Sequence, residues 1–268
     1  MKDSPVVIVT GGTYGLGREI SLTLARRGWS VVAFGLEERQ VSSLAENSIP
    51  SLLAIAESEN LSLIAFDADV SQDSDIERVI SLTIERFGKI DALVNNAAIG
   101  PLGTILETSP DLWDDIMSVN LKGPYLASRS VIPHLIAQGG GSIVNIGSGA
   151  GWGKPNMAAY ATSKGGLIAF SAALALDFFH EKIRVNTVIP GGGGIVAGMS
   201  LGRVNGDVGQ LTKNAAGTVA GRVTTGDDLA KAVAFLLSND AEVISGTVLD
   251  VGCFAHQGSS VPSKPNNK

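Results

Sequence analysis

Cysteine is nearly missing from this 268-residue chain: Cys253 stands alone, so no internal disulfide can form. A lone thiol fits a reducing compartment, and a cytoplasmic setting is expected. Histidine is scarce too, and His134, His180 and His256 have no ligand spacing, so no metal is expected. Basic residues are outnumbered, with 20 Lys and Arg against 26 Asp and Glu and a net charge of −6. That balance lacks the electrostatic footprint of a nucleic-acid or anionic-membrane binder. No apolar run approaches the ~18 residues of a spanning helix, and no basic-then-apolar leader opens the chain.

Glycine is abundant, at 33 residues, and hydrophobic residues make up 44% of the chain. The glycines gather at turns and form no repeat. This composition suits one large α/β core, expected over residues 1–257, followed by a flexible tail at 258–268.

Pro5-Val6-Val7-Ile8-Val9 is a short apolar run of the kind found in buried parallel strands. Thr10-Gly11-Gly12-Thr13-Tyr14-Gly15-Leu16-Gly17 follows, then a helix marked by Ile20, Leu24 and Ala25 and stopped at Gly28. A glycine turn without a ligand can carry the same letters. Between a strand and a helix, however, the glycines allow close approach of a pyrophosphate to a helix N-terminus.

Ser30 to Phe34 reads as the second strand, and its end bears on the cofactor. An acid there pairs with a ribose 2′-hydroxyl, whereas an arginine accommodates a 2′-phosphate. The chain continues Gly35-Leu36-Glu37-Glu38-Arg39, and Tyr14 instead of a base precedes Gly15. The two glutamates favour NAD over NADP, with Arg18 or Arg39 as the residues that would reverse the choice.

Glu38 to Glu59 is helical in tone with a break at Pro50. Leu61 to Phe66 gives a third strand, then Asp69-Val70 and a helix capped by Ser71 and ending at Phe87. Asp69 either accepts from an adenine amino group or caps the helix that follows. Asp91 to Val94 is the fourth strand and runs into Asn95-Asn96-Ala97-Ala98, where asparagine side chains can tie neighbouring loops together. A long helix is expected from Pro110 to Gln138, and Asn120 inside it suggests a kink, a bound water or a satisfied core amide.

The fifth strand, Gly141 to Gly147, ends at Ser148, and a loop with Trp152 and Pro155 leads to a helix from Ala158 to Phe179. Ile183 to Ile189 is the sixth strand and ends in Pro190-Gly191-Gly192-Gly193-Gly194. The Gly-rich stretch near 192–222, with Met199, Leu201 and Leu211, reads as a substrate lid. A helix at 225–237 and a strand at 246–251 complete a doubly wound, Rossmann-type parallel sheet of about seven strands.

Tyr160 and Lys164 lie four residues apart, one turn along the Ala158–Phe179 helix. A phenol has an ordinary pKa of about 10, and a neighbouring ammonium would lower it into a useful range. An ordinary surface pair has the same spacing, so the pair matters only in context. Ser148, at the sheet's carboxyl edge, could donate to a substrate oxygen at the same place.

In this order the segments resemble the short-chain dehydrogenase/reductase family from Pro5 to about Gly252. The matching motifs are Thr10-Gly11 with Gly15 and Gly17, Asp69-Val70, Asn95-Asn96-Ala97, Asn120, Ser148, Tyr160 with Lys164, and Pro190-Gly191. The resemblance implies hydride transfer between a nicotinamide cofactor and a secondary alcohol or ketone. Tyr160 would be the general acid/base and Ser148 would polarise the carbonyl. Lys164 would hold the nicotinamide ribose and depress the Tyr160 pKa, while Asn120 would hold a water linking Lys164 to solvent. Around the cofactor it implies Gly11, Tyr14, Gly15, Leu16, Gly17 and Leu36, then Asp69, Val70, Asn96 and Ala97, and finally Tyr160, Lys164, Pro190 and Gly191. Around the substrate it implies Ser148, Trp152, Tyr160 and Met199.

Family likeness also suggests a homotetramer, with a dimer as the alternative, packed through the helices at 110–138 and 158–179. The chain departs from the family pattern at Ala98, where glycine is usual, and at Ile195, where threonine is frequent. The Ser148–Tyr160 interval is one residue short, and Val251-Gly252-Cys253 replaces the usual Asp-Gly-Gly. A nucleotide-binding sensor or scaffold without turnover is the competing reading, although it has no use for an acid/base pair.

Overall fold

The computed structural model describes residues 4–37, 48–191, 195–196, 198–203, 206–207, 209–210 and 218–252. Glu38, Arg39, Gly192 to Gly194, Leu211, Cys253, His256 and the expected tail lie outside the described residues. In chain order the structure runs β1 (Val6–Thr10), α1 (Gly15–Arg26), β2 (Ser30–Gly35), α2 (Ile49–Ser58), β3 (Leu63–Asp67) and α3 (Asp73–Phe87). Next come β4 (Ala92–Asn95), α4 (Pro110–Met117), α5 (Gly123–Ala137), β5 (Gly141–Ile146), α6 (Ala158–Asp177) and β6 (Ile183–Ile189). The last third holds β7 (Ile195–Val196), α7 (Gly198–Arg203), β8 (Thr224–Thr225), α8 (Gly226–Leu237) and β9 (Val248–Asp250).

Seven strands form one sheet in the order β3-β2-β1-β4-β5-β6-β9, and every pairing is parallel. The β1 strand is buried along its whole length, which explains its unbroken β-branched run. Alternation sends Val7 and Val9 to one face, where they join Ile20 and Leu24 of α1 and Leu229 and Val233 of α8. Ile8 joins the opposite face with Val79 of α3 and Val131 and Leu135 of α5. Strand order reverses between β1 and β4, so the ligand crevice of such a sheet opens at their carboxyl ends.

Three local expectations change, and the kink suggested at Asn120 is present. Pro50 starts α2 and does not break a longer helix, because a proline in the first turn gives up an N–H that has no partner there. Ser48 supplies that cap, its Oγ accepting from the Ser51 N–H at 3.2 Å. Ser71 does not cap α3; its hydroxyl donates to Asp69 Oδ1 at 2.8 Å, while Asp73 and Asp75 place negative charge in the helix's first turn. The long helix at 110–137 is interrupted by a π-helical turn at Ser118–Lys122, centred on Asn120. Finally, β7 pairs with β8 and α7 lies between them in the chain, so the described residues of the Gly-rich stretch include short regular elements.

Candidate active site

The carboxyl ends of β1 and β4 are fastened first. Thr10 Oγ1 accepts from the backbone N–H groups of Asn96 and Ala97, both at 3.0 Å. The Asn96 amide returns two bonds, to the carbonyls of Thr10 at 3.1 Å and Gly11 at 3.0 Å. The loop-tying role expected of the asparagines is therefore present. Below it, Asn95 donates to Asn145 Oδ1 at 2.8 Å and Asn145 donates to Ser171 at 2.7 Å, a buried polar thread from β4 through β5 to α6.

Glycine is required in the adjoining turn. Gly11 and Gly15 have φ values of +60° and +51°, in the left-handed region. A Cβ on Gly17 would stand 1.9 Å from the Gly11 carbonyl oxygen and 2.4 Å from Asn96 Nδ2. The result is a tight turn packed backbone to backbone at the N-terminus of α1, with Tyr14 extended just before it and no acid in the first turn. Leu16 packs toward the core. Pro190 and Gly191 close the end of β6, where a Cβ on Gly191 would meet Thr224 Oγ1.

Farther along the edge, Leu36 is half-buried just past β2. Asp69 Oδ1 is engaged by the Ser71 N–H and hydroxyl, and the Val70 side chain packs beside Gly123. Arg18 is buried with Nη1 donating to the Ser48 carbonyl at 3.3 Å. One carboxylate at this edge was not singled out in the sequence: Asp67, at the end of β3, accepts from the Glu37 N–H at 2.8 Å. Its place beside β2 follows from strand order, which linear spacing does not disclose.

Tyr160 enters from the first turn of α6, and Lys164 follows one turn on; both are buried, at 8% and 2% exposure. The Ser148 hydroxyl hydrogen-bonds the Tyr160 side chain and accepts from the Ala150 N–H at 3.1 Å. Lys164 Nζ lies 5.9 Å from the Tyr160 ring centroid and donates to the Ile146 carbonyl at 2.8 Å. The structure thus brings together the three side chains that the sequence marked as reactive. The short Ser148–Tyr160 loop is accommodated by a 3-10 turn at Gly149–Trp152 laid against α6, where Gly151 and Gly165 meet without side chains. Trp152 is half exposed at its end.

The expected electrostatics are corrected. Burial pushes the Tyr160 phenol above its ordinary value, and the Ser148 hydrogen bond and the Arg203 charge offset only part of that rise. Burial also lowers Lys164 to about 8. Among the described residues Lys164 has no ion pair, so its charge is poorly supported without a ligand.

Of the readings open for Asn120, the structure shows the satisfied core amide and not the water-holding side chain that the resemblance implied. Its Oδ1 accepts from the Ile99 N–H at 2.8 Å, and its Nδ2 donates to the Ile99 carbonyl at 2.8 Å and to Ser163 Oγ at 3.0 Å. The amide is committed to protein partners and is fully buried, so the side chain itself is not free to hold a relay water.

Met199 does reach the site. A Cβ on Gly100 would fall 2.7 Å from Met199 Sδ and 2.9 Å from the Tyr160 ring, which places all three side by side. Arg203, one turn beyond Met199, was missed: its Cζ lies 5.9 Å from the Tyr160 ring centroid and its Nη2 donates to the Gly100 carbonyl at 2.7 Å. The four-residue interval from Met199 was the signal that could have found it.

A parallel sheet with a glycine cradle at its switch point, and a serine, tyrosine and lysine gathered on the same edge, defines a dinucleotide-fold oxidoreductase. The family model for short chain dehydrogenase matches residues 5–200. The chain belongs to the short-chain dehydrogenase family, enzymes of the dehydrogenase/reductase class. It is 34% identical over 254 residues to a 2-(S)-hydroxypropyl-CoM dehydrogenase of Xanthobacter autotrophicus, covering 92% of this chain and 94% of that protein. It also resembles an actinorhodin polyketide ketoreductase solved with NADPH, with a TM-score of 0.84, 28% identity, and coverage of 96% and 98% of the two chains. A 3-ketoacyl-(acyl-carrier-protein) reductase from Brucella melitensis, solved with NADH, gives a TM-score of 0.80 at 27% identity, covering 96% of this chain and all of that one. Among the described residues no helix is long and apolar enough to cross a membrane.

Proposed function

We propose that this protein interconverts a secondary alcohol and a ketone, with Tyr160 as the proton donor and acceptor. The observation that carries the reading is the Ser148 hydroxyl bonded to a buried phenol, with a buried ammonium behind it. A nicotinamide dinucleotide fits the residues present: Gly11 and Gly15, at φ +60° and +51°, fold a side-chain-free turn onto the N-terminus of α1, where backbone N–H groups favour a pyrophosphate. Gly11 to Gly17, Asn96, Ala97 and Gly191 would hold it, and when bound it supplies the hydride acceptor or donor.

The chain's own residues do the rest. Ser148 and Tyr160 both present hydroxyls to the substrate oxygen, fixing its position and stabilising its developing negative charge. In reduction, Tyr160 gives its proton to that oxygen; in oxidation, it takes the proton back. A phenol raised by burial stays protonated until it is needed, and Lys164 favours the phenolate once the proton has left. Lys164 also offers its Nζ to ribose hydroxyls.

NAD is favoured over NADP. Asp67 and Glu37 put negative charge at the β2 tip, and Arg18 is engaged with Ser48. Residues near 192–222 act as the substrate lid, and Met199 and Trp152 give the pocket apolar walls. A homotetramer is supported by apolar side chains left exposed on α5, in the last turn of α6 and just past it, among them Tyr125, Leu176 and Phe179.

The test is Tyr160→Phe assayed with a panel of secondary alcohols and ketones. Turnover should fall about 10²-fold or more, as expected on removing a general acid, while NADH binding persists. A wild-type protein that binds NADH and converts nothing in the panel would favour the scaffold reading.

A further inference from the structure

We infer that Arg203 is a specificity-determining residue that receives a carboxylate carried by the substrate close to its reacting carbonyl. This deepens the reading above and rests on it. Three observations carry it.

The first is position. The guanidinium is exposed, yet its Cζ lies 5.9 Å from the ring of the phenol assigned to proton transfer. Arg203 and the Tyr160 ring thus border the same part of the site, with Met199 and Gly100 between them. Its charge is also felt at that phenol, lowering the pKa that burial has raised.

The second is an unused fork. Both recorded bonds of the side chain use Nη2, to the Gly100 carbonyl at 2.7 Å and the Met199 sulfur at 3.4 Å. These bonds aim the group, while Nε and Nη1 have no recorded partner among the described residues. A planar donor pair of this kind matches a carboxylate.

The third is missing countercharge. Arg203 forms no ion pair among the described residues. The whole segment 192–217 contains one acid, Asp207, whose Oδ1 accepts from the Gln210 N–H at 3.1 Å. The other cation against Tyr160 is Lys164, buried behind the ring. One accessible positive charge suits a monoanion better than a phosphate dianion.

The experiment compares matched acid and ester probes with the full chain and its preferred nicotinamide cofactor. The pairs are acetoacetate with methyl acetoacetate, and 3-oxohexanoate with methyl 3-oxohexanoate. Wild type should favour the acid in kcat/KM, chiefly through KM. In Arg203→Gln the acid-to-ester ratio should drop about tenfold, the worth of one charge-assisted hydrogen bond. Arg203→Lys should restore part of that ratio. A purely structural arginine would lower both probes in parallel and leave the ratio unmoved, which would overturn the inference, as would a wild type that prefers the esters.

A second readout needs no turnover: the rise in melting temperature on adding 3-hydroxyhexanoate or its methyl ester. An acid-specific rise lost in Arg203→Gln supports the inference even if no probe is converted, and in that case only the catalytic reading fails. A wild type with no acid-specific rise overturns the inference whether or not it is an active enzyme.

Discussion

Lys164 shows how far a functional side chain can work against the fold that holds it. It is an ammonium at 2% exposure whose recorded hydrogen bond is to the Ile146 carbonyl, and burial brings its pKa down to about 8. The unfolded chain holds this proton more tightly than the folded one, so the penalty on stability is full below about pH 8. It fades as pH rises toward the ordinary lysine value of about 10.4. Lys164→Met removes the penalty and gives up one hydrogen bond, for a net gain of about 2 kcal/mol at pH 7. Thermal melting should show a higher midpoint for the variant at pH 7, a gain that shrinks above pH 8, and no measurable turnover. A variant less stable than wild type at pH 7 would show that the buried charge is better supported than its surroundings indicate.

Among the elements, the strand–turn–helix at 6–26 was readable because its rule is local: a β-branched run, glycines, then a helical period. The steric demand at Gly17 gives a sharp test. Gly17→Ala drives a Cβ to 1.9 Å from the Gly11 oxygen, an overpacking that should cost roughly 2–3 kcal/mol and weaken NADH binding. Gly28→Ala is the comparison: its φ is +88° with nothing within 4 Å of the added carbon. It should cost about 1 kcal/mol through backbone strain and leave NADH affinity alone. Denaturant melts and fluorescence titration read both quantities. The kink at Asn120 was also legible, since an amide in an apolar helix needs partners. Its partners were not, because Ile99 lies 21 positions away, in the loop beyond β4. Pro50 and Ser71 misled for the same reason: whether a residue breaks, starts or caps a helix depends on where the flanking backbone goes.

At the scale of the molecule, the parallel doubly wound sheet followed from alternating strand and helix signals, and with it the edge where Ser148 and Tyr160 meet; the order of its strands did not. Charge and contact across that edge were hidden. Arg203 reaches Tyr160 only because α7 folds over the crevice, and Asp67 lies at the β2 tip only because β3 pairs there. The carboxylates at that tip should make NADH bind at least about tenfold more tightly than NADPH, a difference of roughly 1.4 kcal/mol. Glu37→Arg should narrow that gap in a paired titration.

The central claim is that a buried phenol, softened by the Ser148 hydroxyl, carries the reaction's proton. It is tested most directly by the pH dependence of kcat/KM for alcohol oxidation in wild type and Ser148→Ala. Oxidation needs the phenolate, so the wild-type rate should climb with pH and fade as pH falls below the Tyr160 pKa. In Ser148→Ala the remaining activity should climb at higher pH, because a hydrogen bond that favours the phenolate is gone. A flat wild-type profile, or a variant profile unmoved or shifted to lower pH, would contradict it.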